Sequence, residues 1–248
     1  MPMSKKSSNF ARKRSKNMKA VILAGGLGSR LRPFTDTIPK PLLPIGEKSI
    51  LEIQINRLKQ YGFDEIYLAT NYKSEYISNF FGDGSRYGVK LVISKEEKPL
   101  GTAGPIKLLQ NELQDAPFVV MNGDILSLID FGKLYQFAED KGQPLTISIK
   151  KEITPFEFGN IFFDGDVVTE IQEKPDLVNY ILAGIYVMSP AIFDYIPADT
   201  YYGMDKLIKD LMANDIPVIK YEMDEYWLDV GRVKDYEKAQ VDYDEKFK

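Results

Sequence analysis

The chain has 248 residues, of which 44% are hydrophobic and 27% are charged, and its net charge of −4 gives no indication of nucleic-acid binding. It contains no cysteine and no histidine, which excludes thiol catalysis, disulfides, thiolate or imidazole metal sites and Ser-His triads. Carboxylates, lysine, arginine, hydroxyls, backbone amides and hard metal ions are left, a set that suits phosphoryl or nucleotidyl transfer.

The first 17 residues differ in composition from the rest of the chain. They contain six Lys and Arg and no acidic residue, so we expect residues 1–17 to be a basic disordered leader rather than a binding arm, followed by a folded domain over residues 18–248. No apolar run approaches the roughly 20 residues that a membrane helix needs, and no apolar signal segment follows Met1. We therefore expect a cytoplasmic protein without a membrane partner.

Short apolar runs alternate with helical patterns from residue 19 onward. The runs predict strands at Ala20–Ala24, Glu65–Thr70, Lys90–Ser94, Phe118–Met121, Leu145–Lys150, Val167–Ile171, Ile181–Met188 and Val218–Tyr221. The remaining patterns predict helices at Ser49–Tyr61, Ser74–Phe81, Thr102–Glu112, Phe131–Asp140, Met204–Ala213 and Val233–Phe247, the first with a capping box of Ser49 and Glu52. This alternation predicts an α/β fold with a mainly parallel sheet, in which ligands bind beyond the carboxyl ends of the strands.

The first predicted strand runs into a glycine-rich loop, AGGLGSRLR, over Ala24–Arg32. Small side chains let backbone amides approach phosphate oxygens there, although an ordinary tight turn has the same composition. Spacing argues against two familiar phosphate loops. The string GxxxxGK[ST] does not occur, and Leu31 stands where the dinucleotide fingerprint GxGxxG needs its third glycine.

Lys40 lies between Pro39 and Pro41, ten residues after Arg30. Proline fixes φ and favours extended backbone, so we expect that this segment cannot form a helix and bury its lysine. A stiff segment beside a phosphate-binding loop would hold a cation in place for a phosphate. A Pro-rich surface turn with a solvated lysine is the alternative.

Taken together, residues Ala20–Glu52, AVILAGGLGSRLRPFTDTIPKPLLPIGEKSILE, resemble the signature of the sugar nucleotidylyltransferase (NDP-sugar pyrophosphorylase) family, GGxGxRL followed by PKPLxP. The resemblance implies a three-layer α/β/α sandwich with a mixed, mostly parallel sheet. It implies a nucleotide half over about residues 18–125 and a sugar-binding half over about 126–248. It also implies that Arg30 stabilises charge on the leaving pyrophosphate and Lys40 orients the phosphates. The nucleotide contacts implied in and beside the loop are Leu23, Ala24, Gly25, Gly26, Gly28, Ser29 and Arg30.

Two aspartates follow apolar segments far apart in the sequence. Asp124 comes after the predicted strand Phe118–Met121, in an Asn-Gly-Asp string that could be a simple turn. Asp229 stands in the string YWLDVG and could merely cap the next helix. Both strings resemble the family elements (N/G)D and WxDxG, which implies that the two carboxylates bind Mg²⁺.

The second half of the chain carries strings similar to the sugar-side elements of the family. The strings EKP and AGIY imply that Glu173 and Lys174 contact the sugar and its phosphate and that Gly184 allows close approach of the ring. Gly159 stands where relatives have a Tyr-Gly pair, and Asn122 completes the implied sugar-phosphate set. An exposed surface pair is the alternative for Glu173 and Lys174.

The string Asp164-Gly165-Asp166 spells the DxD pattern with which many glycosyltransferases bind a metal and a nucleotide sugar. It lies between the apolar runs IFF and VV. Asp-Gly between apolar runs favours a β-hairpin, so we predict a hairpin rather than a metal site.

The region from Ser94 to Gly104 resembles the family's base-contacting element, with Glu96, Gly101 and Thr102 as the implied contacts. A carboxylate only accepts hydrogen bonds and suits the two adjacent donors of guanine, so GTP is favoured over UTP, dTTP or CTP. The string EEKPLGTAGPI also looks like that of mannose-1-phosphate guanylyltransferases. Solvation of Glu96 in a charged loop is the alternative.

The reaction implied is an in-line attack of a sugar 1-phosphate on a nucleoside triphosphate. The attacking phosphate oxygen is already anionic, so no general base is needed. The sugar stays open among mannose, heptose, glucosamine and glucose, as does homo-oligomerisation. Three other classes also stay open: a glycosyltransferase, a catalytically silent relative, and one domain of a bifunctional enzyme.

Overall fold

A computed structural model describes residues 18–71 and 73–248. The leader predicted over residues 1–17 lies outside the described residues. The strands are β1 (Met18–Leu23), β2 (Pro44–Ile45), β3 (Lys48–Ser49), β4 (Phe63–Thr70), β5 (Lys90–Lys95), β6 (Phe118–Asn122), β7 (Ile125–Ser127), β8 (Leu145–Pro155), β9 (Gly159–Asp164), β10 (Val167–Glu173), β11 (Asp176–Met188), β12 (Val218–Met223) and β13 (Trp227–Asp229). The α-helices are α1 (Phe34–Thr37), α2 (Ile50–Gln60), α3 (Ser74–Phe81), α4 (Gly104–Lys107), α5 (Phe131–Lys141), α6 (Met204–Ala213) and α7 (Val233–Lys246).

In the described part of the chain, seven strands form one sheet in the order β12-β8-β11-β6-β1-β4-β5. The pairs β1–β4, β1–β6, β4–β5 and β8–β12 are parallel, whereas β11 runs antiparallel to both β6 and β8. The prediction of a mixed, mostly parallel sheet is therefore confirmed.

Alternation along β1 divides the core between the two faces of the sheet. Ala20 and Ile22 pack with apolar residues of α2, α3 and α5 on one face. Val21 packs with apolar residues of α4 and α6 on the other. Successive side chains of a strand point to opposite faces, so helices cover both sides of β1 and the fold is the expected α/β/α sandwich.

One predicted helix is wrong in its extent. The segment Thr102–Glu112 holds only the short helix α4, and the residues after it form turns. Backbone N–H groups there donate to carbonyls three residues back, as from Leu109 to Ile106 and from Gln110 to Lys107. This tighter winding replaces the α-helical pattern while still burying Leu109 and Leu113.

The other long helices fall where the sequence predicts them, and Ser49 is the N-cap of α2. Its hydroxyl accepts a hydrogen bond from the Glu52 amide at 3.2 Å. No helix in the described residues is long and apolar enough to cross a membrane.

Strands β7 and β13 pair with each other outside the main sheet, with Asp229 opposite Ile125. This two-stranded ribbon rests on a third apolar cluster that includes Leu126, Leu228, Leu43 and Ile50. Segments from the start, middle and end of the chain therefore share one small core.

Strands β8 and β11 extend past the main sheet and continue into the β9–β10 hairpin. Pairing of β8 with β12 ends at Lys150, and pairing of β11 with β6 begins at Ile185. We name residues 151–182 the β-arm. The Asp164-Gly165-Asp166 string turns the hairpin, because Asp164 pairs with Val167 and Gly165 has a φ of 57°. The predicted hairpin is confirmed.

Candidate functional site

The glycine-rich loop begins where the carboxyl ends of β1, β4 and β6 meet. The Ala24 amide donates to the Ala69 carbonyl at 2.7 Å, and the Gly123 amide donates to the Leu23 carbonyl at 2.9 Å. A Cβ at position 123 would lie 2.7 Å from the Leu23 carbonyl oxygen. The loop and the Asn-Gly-Asp turn are thus in direct contact at the edge of the sheet where α/β folds bind ligands.

Gly28 joins the loop to the segment that carries Lys40. It has a φ of 64°, and a Cβ there would lie 2.8 Å from Thr35 Cγ2 and 3.1 Å from Lys40 Cβ. The Thr35 hydroxyl donates to the Gly28 carbonyl at 2.8 Å. A larger residue would separate loop and lysine. Gly26, Ser29 and Arg30 remain exposed, which leaves this side of the loop accessible to a ligand.

The expectation that Lys40 escapes a helix and burial is wrong. Lys40 begins a short 3-10 helix, Lys40–Leu42, and is only 7% exposed. A 3-10 turn tolerates Pro41 at its start because that position needs no amide donor. The free-energy cost of burying the Lys40 ammonium is offset by an ion pair, because Lys40 Nζ lies 2.6 Å from Asp124 Oδ2. Lys40 is therefore a fixed cation, and the solvated alternative is wrong.

The β7–β13 ribbon brings the two sequence-predicted aspartates together. Asp124 directly precedes β7 and Asp229 ends β13. The Val230 amide donates to the Asp124 carbonyl at 2.9 Å. Arg232, not Asp229, is the N-cap of α7, so the alternative role of Asp229 as a helix cap is wrong.

Asp229 is a half-buried carboxylate in a charged neighbourhood. Burial raises its pKa above the usual range and the Asp124 carboxylate raises it further, while Lys40 and Arg30 act in the opposite direction. A Cβ at Gly231 would lie 3.2 Å from Asp229 Oδ1 and 3.6 Å from Arg30 Nη2. Asp229 Oδ1 has no hydrogen-bond partner among the described residues, an arrangement that favours an added cation.

The two carboxylates suit a Mg²⁺ ion whose other ligands are phosphate oxygens and water better than a metal ion bound by protein side chains alone. No group of three or more acidic residues in the described part of the chain is placed to hold a metal ion. Two carboxylates with room for phosphate oxygens and water are the usual protein contribution to a Mg²⁺–nucleotide site. The buried, unpaired Asp229 Oδ1 beside Asp124 is consistent with that role.

Gln54 is a part of this site that sequence reasoning missed. It is 2% exposed, and its Nε2 donates to the carbonyls of Asn122 at 2.9 Å and Ile125 at 2.8 Å. These carbonyls bracket the turn that carries Asp124. A polar residue within the apolar face of a predicted helix is the signal that could have identified it.

Asn122 and Gly184 are in contact on the side of the site that the second half of the chain forms. Gly184 has a φ of 67°, and a Cβ there would lie 2.7 Å from Asn122 Nδ2. The register of β11 against β8 shifts at this point, between Leu182 and Tyr186. Trp227 Nε1 donates to the Ala183 carbonyl at 2.7 Å, which ties the shifted segment to β13.

Gly159, Glu173 and Lys174 lie on the β-arm. Gly159 and Glu173 are paired across the hairpin, and Lys174 has a φ of 47°. All three are exposed. The structure thus brings Gly159 and Glu173 together, separately from the cluster of Asp124, Asp229 and Lys40.

Glu96 is buried beside the glycine-rich loop, although Lys95, Glu97 and Lys98 around it are exposed. The Leu100 amide donates to Glu96 Oε2 at 2.8 Å, and a Cβ at Gly25 would lie 3.1 Å from Oε1. Burial raises the pKa of Glu96, while hydrogen bonds from the Leu100 amide and Asn71 lower it. The alternative of a solvated Glu96 is wrong.

Gly101 and Thr102 dock on the segment that precedes α6. The Tyr202 carbonyl accepts hydrogen bonds from the Ala103 and Gly104 amides, and the Tyr202 amide donates to the Leu100 carbonyl at 2.8 Å. The Thr102 hydroxyl accepts a hydrogen bond from the Met204 amide at 2.8 Å. Thr102 thus has a structural partner at the start of α6.

Comparisons with known proteins agree with this geometry. A family model described as Nucleotidyl transferase matches residues 19–246. Probable mannose-1-phosphate guanylyltransferase 1 of Oryza sativa subsp. japonica is 38% identical over 88% of this chain and 63% of its own length. The UTP–glucose-1-phosphate uridylyltransferase of Synechocystis is 37% identical over 90% of this chain and 62% of its own length. The chain thus spans less than two thirds of these two relatives. The crystal structure of HddC from Yersinia pseudotuberculosis complexed with GMP-PN is 29% identical, with a TM-score of 0.71, and covers 91% of this chain and 99% of that one.

Proposed function

The chain belongs to the nucleotidyl transferase family, and we propose that it is a sugar-1-phosphate nucleotidylyltransferase that joins GTP to a sugar 1-phosphate and releases pyrophosphate. Mannose 1-phosphate is the first candidate sugar substrate, because the Oryza sativa relative is named a probable mannose-1-phosphate guanylyltransferase. The HddC structure with GMP-PN supports a guanine nucleotide.

One observation carries the proposal. Asp124, Asp229 and the Lys40 ammonium form a cluster, with Arg30 beside it, next to an exposed glycine-rich loop. Two carboxylates and two cations around one space match the charges of a metal–triphosphate complex. Such a cluster catalyses by positioning and charge neutralisation, and needs neither histidine nor cysteine.

The nucleotide occupies the half of the chain over about residues 18–125. The backbone and small residues of the loop, from Leu23 to Ser29, lie along the triphosphate. Arg30 faces the pyrophosphate that leaves and stabilises its developing charge. When the triphosphate binds, the Lys40 ammonium exchanges its ion pair with Asp124 for one with a phosphate oxygen, because both oxygens compete for the same ammonium.

Asp124 and Asp229 hold Mg²⁺, which when bound neutralises phosphate charge. Gln54 keeps the Asp124 turn in place from behind through the Asn122 and Ile125 carbonyls.

The sugar 1-phosphate is bound by the second half, about residues 126–248. The Asn122 side chain lies against Gly184, where a Cβ would displace it, and the sugar 1-phosphate contacts this pair. Glu173 accepts hydrogen bonds from sugar hydroxyls, Lys174 faces the sugar phosphate, and Gly159 lies beside Glu173. The anionic phosphate oxygen then attacks the α-phosphorus in line with the leaving pyrophosphate.

The guanine lies near Glu96, Gly101 and Thr102. Glu96 Oε1 faces Gly25 at the loop, and an acceptor there suits the N1–H and amino group of guanine. A UTP-using enzyme is the second candidate, because the Synechocystis relative is named a uridylyltransferase. A glycosyltransferase is less well supported, since the Asp164-Gly165-Asp166 string forms a hairpin turn.

The test is a pyrophosphate-release assay with GTP, UTP, dTTP and CTP against mannose, glucose, glucosamine and heptose 1-phosphates. Release with GTP and one of these sugars, and no release without a sugar phosphate, is the expected result. Absence of release with every pair, while a nucleotide sugar is consumed, would replace the proposal with a glycosyltransferase.

A further inference from the structure

Trp227, the single tryptophan of the sequence, begins β13, the strand that Asp229 ends. Its indole Nε1 donates a hydrogen bond to the Ala183 carbonyl at 2.7 Å. The ring is half-buried and packs against the apolar cluster that contains Ala183 and Ile185. The side chain therefore connects the strand that carries Asp229 to β11, the strand that carries Gly184.

The Ala183 carbonyl lies where the ladder between β11 and β8 is interrupted. The register shifts between Leu182 and Tyr186, and extra residues in one strand locally disrupt the ladder hydrogen bonds and bend the strand. Ala183 is fully buried. A buried carbonyl needs a hydrogen-bond donor, and the indole N–H of Trp227 supplies one.

The peptide unit that contains the Ala183 carbonyl also contains the Gly184 amide. Because a peptide unit is planar, a hydrogen bond to its oxygen restrains the backbone at Gly184. A Cβ at Gly184 would lie 2.7 Å from Asn122 Nδ2 and 3.3 Å from Ile125 Cγ1. Rotation of this peptide would therefore change the contact between Gly184 and Asn122.

The backbone of β13 is held independently of β11. It pairs with β7, and the Val230 amide donates to the Asp124 carbonyl at 2.9 Å. Leu228 packs in the third apolar cluster. The hydrogen bond from Trp227 therefore restrains the Gly184 turn against a strand that is already fixed.

Given the proposed function, which places the sugar 1-phosphate at the contact between Gly184 and Asn122, we propose that Trp227 is a positioning residue for that substrate. It acts through the Ala183 carbonyl and sets the affinity for the sugar 1-phosphate. The nucleotide is affected much less, because the glycine-rich loop follows β1, which β6 separates from β11 in the sheet.

Trp227→Phe keeps an aromatic ring and removes the N–H donor. The KM for the sugar 1-phosphate should rise about three- to tenfold, the range expected for one neutral hydrogen bond. The KM for GTP should change by less than about twofold. Steady-state pyrophosphate release with each substrate varied in turn measures both values, and a circular dichroism melt shows that the variant is folded.

Tyr226→Phe is the matched control. The Tyr226 hydroxyl donates to Asp242 Oδ2 on α7 at 2.7 Å, so this variant also loses one hydrogen bond from an aromatic side chain next to β13. It should lower the melting temperature without changing either KM. An equal rise of the sugar KM in both variants would show that Trp227 has only a structural role.

Combining Trp227→Phe with Gly184→Ala tests the route through the Ala183–Gly184 peptide. Substitutions that act on the same contact raise the KM by less than the product of their separate effects, whereas independent substitutions multiply. We expect less than the product for the sugar KM. A full product would contradict a route through Gly184.

Nuclear magnetic resonance gives a readout that requires neither a variant nor turnover. The single tryptophan produces one indole signal in a nitrogen–proton correlation spectrum. Its hydrogen should exchange slowly with deuterium oxide in the ligand-free protein, because it is hydrogen-bonded. With Mg²⁺ present, GDP-mannose should move the signal more than GDP does, because only GDP-mannose fills the sugar side. If pyrophosphate release identifies another base or sugar, the corresponding nucleotide sugar and diphosphate are compared.

Two results would overturn the role of Trp227 and leave the proposed function intact, provided that pyrophosphate release is normal. One is an indole signal that responds equally to the nucleotide sugar and its nucleoside diphosphate. The other is a sugar KM of Trp227→Phe within about twofold of the parent value. Absence of pyrophosphate release with every substrate pair would instead remove the proposed function, and with it the sugar site that Trp227 positions.

Discussion

The ammonium of Lys40 lies 2.6 Å from Oδ2 of Asp124, and the neighbouring Asp229 gains stabilisation from the same cation. Lys40 therefore offsets part of the negative charge of the two carboxylates. This second role is separate from the contact with phosphate that we propose for the catalytic step.

Lys40→Met should reveal both roles. We expect kcat/KM to fall about a hundredfold or more, the scale of losing one preorganised charge contact. In EDTA the melting temperature should also fall, because Asp124 loses its ion pair and Asp229 keeps only Arg30 as a neighbouring cation. Added Mg²⁺ should raise the melting temperature of the variant more than that of the unmodified protein. Equal Mg²⁺ shifts in both proteins would contradict the shared role.

Asp124→Asn and Asp229→Asn should each abolish most turnover, and EDTA should do the same to the unmodified protein. Asp229→Asn should nevertheless melt no lower than the parent, and by our expectation about 2–4 °C higher, because it removes a half-buried charge next to Asp124. Circular dichroism melts and pyrophosphate release measure the two effects. Full activity in EDTA or in either variant would remove the metal assignment.

Arg30→Ala should lower kcat by roughly a hundredfold or more, because Arg30 is proposed to stabilise the leaving pyrophosphate. Arg32→Ala is the matched control. Arg32 is exposed and paired with Asp36 at 3.2 Å, and its loss should change kcat by less than about twofold, as expected for a surface ion pair. If Arg30→Ala raises only KM, by less than about threefold, Arg30 is not part of the chemistry.

Gly184→Ala should raise the KM for the sugar 1-phosphate while leaving the KM for the nucleotide nearly unchanged. The added Cβ would lie 2.7 Å from Asn122 Nδ2 and displace it. Gly165→Ala separates this effect from backbone strain, because Gly165 also has a positive φ but no atom within 4 Å of the added Cβ. It should cost about 1–2 kcal/mol of stability without changing either KM. A sugar KM that Gly184→Ala leaves unchanged would remove Gly184 from the sugar site.

Glu96→Gln should reduce the preference for GTP. We expect GTP to lead the other triphosphates in kcat/KM by tenfold or more, or roughly 1.4 kcal/mol, and the variant to shrink that lead. A preference for UTP or dTTP that the substitution does not change would show that Glu96 does not contact the base.

The same variant makes a prediction for stability. The pKa of Glu96 is raised by burial, so the folded protein holds a proton that the unfolded chain releases, and stability falls as pH rises above about 4.5. Glu96→Gln removes this decrease in stability with pH, because glutamine does not ionise. Its melting temperature relative to the parent should therefore rise between pH 4 and pH 7, and a constant difference would contradict the buried charge.

The sequence could predict the elements of the fold because most of them have strong local patterns. Strands β1, β4 and β6 each contain a run of four apolar residues, AVIL, IYLA and FVVM, and the Ser49 cap fixes the start of α2. The three-residue strands β7 and β13 carry no such pattern. They form because distant segments meet over a shared core, and local periodicity does not report that pairing.

The sequence allowed the charged residues of the site to be predicted, but it did not allow most of their contacts to be predicted. The strings around Arg30, Asp124 and Asp229 identify charged residues by resemblance. The burial of Lys40 depends on an ion pair with Asp124, and the support from Gln54 depends on carbonyls of a distant turn. Both arise from tertiary packing, which overrides the expectation from proline content alone.

The late position of β13 in the sequence has a consequence for biosynthesis. The ribosome releases the glycine-rich loop, Lys40 and Asp124 well before it releases Asp229, and Asp229 reaches Asp124 only when β13 pairs with β7. A nascent chain can therefore display a triphosphate loop while lacking one of its two carboxylates. On the proposed chemistry, a nascent chain that stops before Asp229 consumes no nucleotide.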